Sequence, residues 1–209
     1  DFVTTDSNNN PLLGIILKVY NSYMRQLEKR PLTTKSISCG IVQGLGSILS
    51  QIVEAKTIGN AFTLQKTQLF AFMLSGVIFV APFVHFWYEF LWKIGRKLEV
   101  KFGVKSESWQ MTVLQVILDQ TVGVAIFFPL YFYVYEYVDA ALGFRGPVAA
   151  AVIWDNKILN ELSGVVLMNY RVWPMTQYLT FAYVPQNLRV LVSDIVSVFW
   201  NAYLCTKVR

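Results

Sequence analysis

QLFAFMLSGVIFVAPFVHFWY, from Gln68 to Tyr88, contains no Asp, Glu, Lys or Arg. About 20 predominantly apolar residues suffice for a helix to cross a hydrocarbon core, so this stretch decides the fold: it is a membrane span. Its predicted limits are about Thr67 to Trp92, with Pro82 kinking it at mid-span. Trp87, Tyr88 and Trp92 are expected to form an interfacial aromatic belt at its end. A basic loop follows, with Lys93, Arg96, Lys97, Lys101 and Lys105.

Composition agrees. Of 209 residues, 55% are apolar and 15% charged, and the mean hydropathy is +0.43. A soluble domain carries about 25% charged residues, so this chain has too little polar surface to cover itself. The net charge of +5 comes from basic residues flanking spans, with no RNA-reading motif, so no nucleic-acid partner is inferred. Cys39 and Cys205 both fall inside apolar stretches and read as buried hydrophobes.

On the N-terminal side, DFVTTDSNNNP has neither a Met nor an apolar signal core. It reads as a polar arm over 1–11, left by removal of an import sequence or by truncation. Leu12 to Lys29 is amphipathic: Leu12, Ile16, Tyr20, Tyr23 and Leu27 share a face, as an interfacial helix requires. Pro31 stops it, and Thr33 or Thr34 is expected to cap the next helix. A span from about Ser36 to Val53 carries Ser36, Gly40, Gly44, Ser47 and Gln51 on one side and Ile37, Ile41, Leu45, Ile48 and Ile52 on the other. Small residues face neighbouring helices in lipid, which explains Gly44-Leu45-Gly46 better than a phosphate loop.

On the C-terminal side, a span from about Met111 to Val138 has Thr112, Gln115, Asp119 and Gly123 along one side. Tyr131, Tyr133, Tyr135 and Tyr137 are expected to ring its interfacial end. Gly143 to Pro147 reads as a turn, and Pro147 to Asn169 as a second interfacial helix. Pro185 breaks the last region into a shallow piece and a final span from about Gln186, with Asp194, Ser197, Asn201 and Cys205 on one face. The prediction is an all-α polytopic membrane protein: four transmembrane helices plus amphipathic interfacial helices, in a single four-span domain over 12–209. Four crossings put both termini and the Lys93–Ser108 loop on one side, with twelve basic residues there against five opposite, as charge asymmetry requires.

The tail is specific. Trp173-Pro174, Gln177, Phe181, Val184-Pro185, Arg189, Trp200-Asn201, Tyr203 and Leu204 follow Tyr23, Leu27, Pro31, Thr34, Gly46, Gln51, Gly76, Pro82, His85, Trp87, Tyr88 and Asp119-Gln120. In that order these residues resemble the Mpv-seventeen/PMP-twenty-two family of small peroxisomal, mitochondrial and plastid membrane proteins, over nearly the whole chain after residue 10. Departures are Gly46-Ser47 for the usual Gly-Asp, Ala81-Pro82 for Gly-Pro, Lys66-Thr67 for Arg-Thr, Tyr170 for Trp, and a replacement near Ala125 of the usual proline a few residues past Asp-Gln. The resemblance implies a channel-like or permeability-modulating protein of an organellar membrane. The mitochondrial inner membrane or a plastid membrane is favoured over the peroxisome. The alternative is an accessory subunit of a large respiratory or photosynthetic complex. Beyond lipid, the expected partners are accordingly further copies of the chain or such a complex.

No catalytic, cofactor-binding or metal residue is inferred. His85 is the single histidine, with no Gly-x-Ser-x-Gly elbow and no zinc spacing. The residues needing explanation are the intramembrane polar groups Asp119, Gln120, Arg189 and Asp194, because a charge at the centre of a span costs about 2.5–3.5 kcal/mol on insertion scales. Two roles fit: a structural bridge from Asp119 or Asp194 to Arg189, or a polar path through Gln115, Asp119, Gln120, Asp194 and Asn201. Trp173, Pro174, Gln177 and Pro185 read as a packing motif, and His85 as a helix-pairing residue.

Overall fold

A computed structural model describes residues 11–103, 105, 108–143, 146 and 149–207. The arm expected over 1–11 lies outside them except for Pro11, which opens the first helix. Six helices follow in order among the described residues: α1 (Pro11–Lys29), α2 (Pro31–Ile58), α3 (Lys66–Phe102), α4 (Trp109–Ala141), α5 (150–183) and α6 (Gln186–Cys205). Four of them, α2, α3, α4 and α6, are long and apolar enough to cross a membrane. The fold is all-α and polytopic, as the apolar stretches require.

Local chemistry sets the helix ends. Pro31 sits in the first turn of α2, where its missing N–H costs nothing. No threonine caps this helix; the Thr34 hydroxyl instead donates to the Arg30 carbonyl one turn back. Gly59 ends α2 in the left-handed region at φ 75°, where a side chain is disfavoured. The Ser108 hydroxyl accepts from the Met111 N–H and opens α4. Of the turn expected at Gly143–Pro147, Gly143 also has positive φ, while residues 144, 145, 147 and 148 lie outside the described set.

Three helices contain a widened π turn: Gly76–Val80 in α3, Asp119–Gly123 in α4 and Trp154–Ile158 in α5. The first explains how α3 accommodates Pro82. Proline offers no N–H and crowds the carbonyl four residues back; here the Ala81 N–H reaches back to the Gly76 carbonyl, shifting the ladder just before the ring. Such turns occur preferentially at functional sites.

Packing fixes the directions of the helices. On α2, Gly40 and Gly44 meet Met73 and Val77 of α3, while Gly46 meets Val198 and Asn201 of α6. The small-residue stripe read from the sequence is therefore buried, and Ile37, Ile41 and Leu45 point outward. Cys205 accepts from the Gln68 amide at 2.9 Å and lies by Ser47, so the end of α6 reaches the end of α2. The two helices run parallel. Helix α4 runs antiparallel to α3, with Gln115 on the Leu91 carbonyl, Trp87 on Asp119, and Phe72 edge-on to Tyr135 at 5.1 Å.

Three expectations are overturned. First, 150–169 is not a separate surface helix: α5 continues to Tyr183 and buries Val165 and Asn169. It lies antiparallel along α6, from Glu161 opposite Lys207 to Phe181 opposite Arg189. The start of α2, with Lys35 on His85, and the end of α6, with Cys205 on Gln68, consequently sit at opposite ends of the bundle. Second, Tyr131 and Tyr135 are core residues, 0% and 1% exposed, and only Tyr137 faces outward. Third, Tyr88 is buried and Trp87 half-buried, so of the expected belt only Trp92 is exposed.

Candidate functional site

The polar residues of the spans converge on one place. The π turn in α4 brings the neighbours Asp119 and Gln120 both inward, together with Gly123, whereas an ordinary turn would aim adjacent residues about 100° apart. Gly123 leaves room for the Trp87 indole, which would stand 3.0 Å from a Cβ there. The indole N–H donates to Asp119 Oδ1 at 2.8 Å, and Gln120 Nε2 donates to Oδ2 at 2.7 Å. Asn169 Nδ2 donates to Gln120 Oε1 at 2.8 Å, and the Tyr170 hydroxyl to the Gln120 carbonyl at 3.0 Å. Both Asp119 oxygens are thus satisfied by neutral donors from α3 and α4, and α5 extends the chain of bonds.

A second group lies one turn away. The Tyr88 hydroxyl contacts Ser193 Oγ at 2.9 Å and accepts from Gln177 Nε2 at 2.8 Å. Between the two groups is a cavity of about 110 Å³. Asp119, Gln120 and Gln177 line it, with Asp194 and Asn201 of α6 and the rings of Trp173 and Trp200. Helices α2 to α6 each contribute to its wall. Space of that size holds several waters or a small solute, since one water needs roughly 10–15 Å³ by the same measure. Of its lining rings, Phe127 and Tyr131 stack on one another, and Phe79 stacks on Phe127 behind them.

Among the described residues Arg189 has no ion-pair partner. Its Nε donates to the Val184 carbonyl and its Nη2 to the Phe181 carbonyl, each at 3.1 Å, with the guanidinium 5.3 Å over the Phe181 ring. The helical partner of the Phe181 carbonyl would be the N–H of residue 185, which is proline and has none. Arg189 replaces that bond and seals the corner between α5 and α6. The expected bridge to Asp119 or Asp194 is therefore absent among the described residues: Asp119 takes its bonds from Trp87 and Gln120, and the guanidinium gives its own to Val184 and Phe181.

The remaining residues divide clearly. His85 Nδ1 accepts from Lys35 Nζ at 3.2 Å, pairing α3 with α2 outside the chamber. Pro174 is half-buried within α5, and Pro185 stands at the corner. Asn201 packs on Gly46. Sequence reasoning missed Asn169, Tyr88, Ser193 and Gln43 as members of the site. Asn169, Trp173 and Gln177 recur every four residues, a signal that one helical face carries them. Outside the spans, the Glu161 carboxylate 2.9 Å from Lys207 raises the pKa of that ammonium. Among the described residues no group of three or more His, Cys, Asp or Glu side chains could hold a metal.

Comparison with known proteins follows the same residues. The sequence model of the Mpv17 / PMP22 family matches residues 153–205, which cover α6 and most of α5. The chain is 30% identical over 189 residues to PXMP2/4 family protein 2 of Dictyostelium discoideum, covering 90% of this chain and 89% of that protein. It is 29% identical to the mitochondrial inner membrane protein Mpv17 of Danio rerio, over 90% of this chain and 96% of that one. To peroxisomal membrane protein 2 of Bos taurus it is 27% identical, over 90% and 89%. No solved structure matches.

Proposed function

From the premise that the chain belongs to the Mpv17 / PMP22 family, we propose that it is a non-enzymatic, permeability-modulating protein of an organellar membrane. In this reading small polar solutes or ions pass through the chamber between α2 and α6. One observation carries it: buried polar side chains of five helices meet around a single cavity, and polar groups inside a bilayer are costly enough to mark a pathway. Relatives named for the mitochondrial inner membrane and for the peroxisomal membrane support an organellar placement, and we favour the mitochondrial inner membrane or a plastid membrane. The single domain over 12–209 is the unit proposed to act. Reconstitution in planar bilayers tests this: conductance is expected, altered in its ion preference by Asp119→Asn. No conductance at any voltage would reject it.

Arg171 supports a second reading. It is exposed on α5 at the level of Gln120, about a third of the way along α4, with no ion pair among the described residues. A charge facing lipid at that depth calls for a partner. A further copy of this chain or a larger membrane complex would supply it. Co-purification from the native membrane as a large assembly, lost in Arg171→Leu, is the expected result; a monomer of unchanged size in both forms would reject it.

A further inference from the structure

Helix α3 is longer than the membrane it crosses. Its 37 residues extend about 55 Å at roughly 1.5 Å per residue, whereas a hydrocarbon core is about 30 Å thick and a bilayer with its headgroups about 40–45 Å. The charge-free stretch Gln68–Tyr88 fills the core, so Glu89 to Phe102 runs on through the headgroup layer. Within that projection only Leu91 and Gly95 are buried, against Gln115 and Met111 of α4. The rest of its surface has no protein neighbour to explain its composition.

That composition is basic and aromatic. Lys93, Lys97 and Lys101 are exposed and recur every four residues, which puts them on one helix face. Lys93 pairs with Glu89 at 2.8 Å and Arg96 with Glu99 at 3.0 Å; Lys97 and Lys101 have no ion pair among the described residues. Rings are interleaved with the cations: the Arg96 guanidinium lies 6.0 Å from the centre of the Trp92 ring, and Lys101 Nζ 5.2 Å from that of Phe102. The contact of Lys35 with His85 brings the α1–α2 junction, with exposed Arg25, Lys29 and Arg30, to the same end of the bundle. Over 25–30 and 89–105 the described residues include eight basic and three acidic side chains. At the opposite end, over 54–66, 136–161 and Lys207, they include four basic and five acidic ones. The two ends of the bundle therefore differ in the sign of their surface. Cations alone would suit any polyanion, but depth and rings narrow the choice. The lysines emerge where lipid phosphates lie, and indole rings favour that same layer.

We propose that the projection of α3, with the α1–α2 junction at the same end, is a docking surface for anionic phospholipid headgroups. Lys97 and Lys101 donate to lipid phosphate oxygens, as juxtamembrane basic clusters do, and Trp92 anchors the helix at the edge of the core. The surface is independent of the cavity and of permeation.

Lipid selectivity tests it. The full chain is reconstituted in phosphatidylcholine vesicles containing a trace of spin-labelled phosphatidylglycerol or spin-labelled phosphatidylcholine. Electron paramagnetic resonance then reads the fraction of each label immobilised by the protein. At low salt phosphatidylglycerol should associate about twofold or more above phosphatidylcholine. The excess should vanish near 1 M salt, where the screening length falls to about 3 Å. Lys97→Gln combined with Lys101→Gln should remove about half of the excess or more. Lys56→Gln combined with Lys66→Gln removes the same charge at the opposite end and should leave the excess intact. Equal association of the two lipids at low salt would overturn the surface, and so would an excess that the Lys97 and Lys101 changes leave untouched or that both double variants lose equally. Equal association together with capture of soluble polyglutamate would assign these cations to an acidic protein instead and would equally overturn the proposal. If a variant fails to fold, the lipid comparison and its salt series on the unaltered chain decide alone.

Discussion

The Trp87 indole N–H and the Asp119 carboxylate, 2.8 Å apart, join α3 to α4 at the centre of the bundle. The bond makes Asp119 a neutral-donor acceptor rather than half of an ion pair. Replacing it with alanine strands the Trp87 and Gln120 donors, at about 1–3 kcal/mol for each group left unsatisfied. Asp119→Ala should therefore lower the melting temperature in detergent by several degrees. Asp119→Asn should not. Its carbonyl still accepts from Trp87, and its new amide donates to Gln120 Oε1 if the Gln120 and Asn169 amides both turn over, preserving every bond in the relay. Equal losses in the two variants would refute the relay.

Arg189 yields a second test, because it closes the Pro185 corner and touches neither acid. Lysine keeps the charge but cannot serve the Val184 and Phe181 carbonyls together with a planar fork. Arg189→Lys and Arg189→Ala should both destabilise the protein. Combined with Asp119→Ala, either should be additive within about 0.3–0.5 kcal/mol. A double mutant more stable than the sum of its parts would restore the ion pair that spacing alone suggests.

Much of this arrangement is legible in single-helix patterns, and what is not has a physical reason. The glycine and serine stripe of α2, the Thr112–Gly123 line of α4 and the Asp194–Cys205 face of α6 all show a period near four, because each buries one side. Helix α5 escapes the same logic. Arg171, Asp155, Lys157 and Glu161 dilute its apolar content, and Pro174 looks like a stop, although a bundle tolerates proline inside a helix. Tyr88 and Tyr131 mislead for another reason: an aromatic residue with a hydroxyl suits an interface as well as a core, and only the neighbouring helix decides. The π turn at Asp119 leaves no mark in composition, so the inward turn of both Asp119 and Gln120 emerges only in three dimensions.

Close approach of α2 and α6 gives a third prediction. A Cβ on Gly46 would stand 2.5 Å from the Asn201 Cβ and 3.1 Å from the Val198 carbonyl oxygen. Neither is the end of a flexible chain, so the helices must separate. Overpacking of this kind costs about 1–3 kcal/mol. Gly46→Val should fall in melting temperature, while Gly164→Val, with nothing within 4 Å of its Cβ position, should show no steric penalty. Comparable losses at the two sites would show that the contact is not the cause.

The last prediction concerns topology. Helix α6 is long and apolar enough to cross, and α5 runs beside it from Gly164, whose carbonyl accepts from the Tyr203 hydroxyl, to Phe181, whose carbonyl accepts from Arg189. A segment sharing the depth of a crossing helix over that length crosses as well. The chain then traverses the membrane five times from Pro31 onward, and the end of α6 lies opposite the loop between α3 and α4. Cysteines introduced at Asn60 and Thr206 should react with an impermeant maleimide from one face of sealed vesicles, and a cysteine at Lys105 from the other. The native thiols Cys39 and Cys205 are buried, which keeps the background low. Labelling of Lys105 and Thr206 positions from the same face would return α5 to the surface and the protein to four crossings.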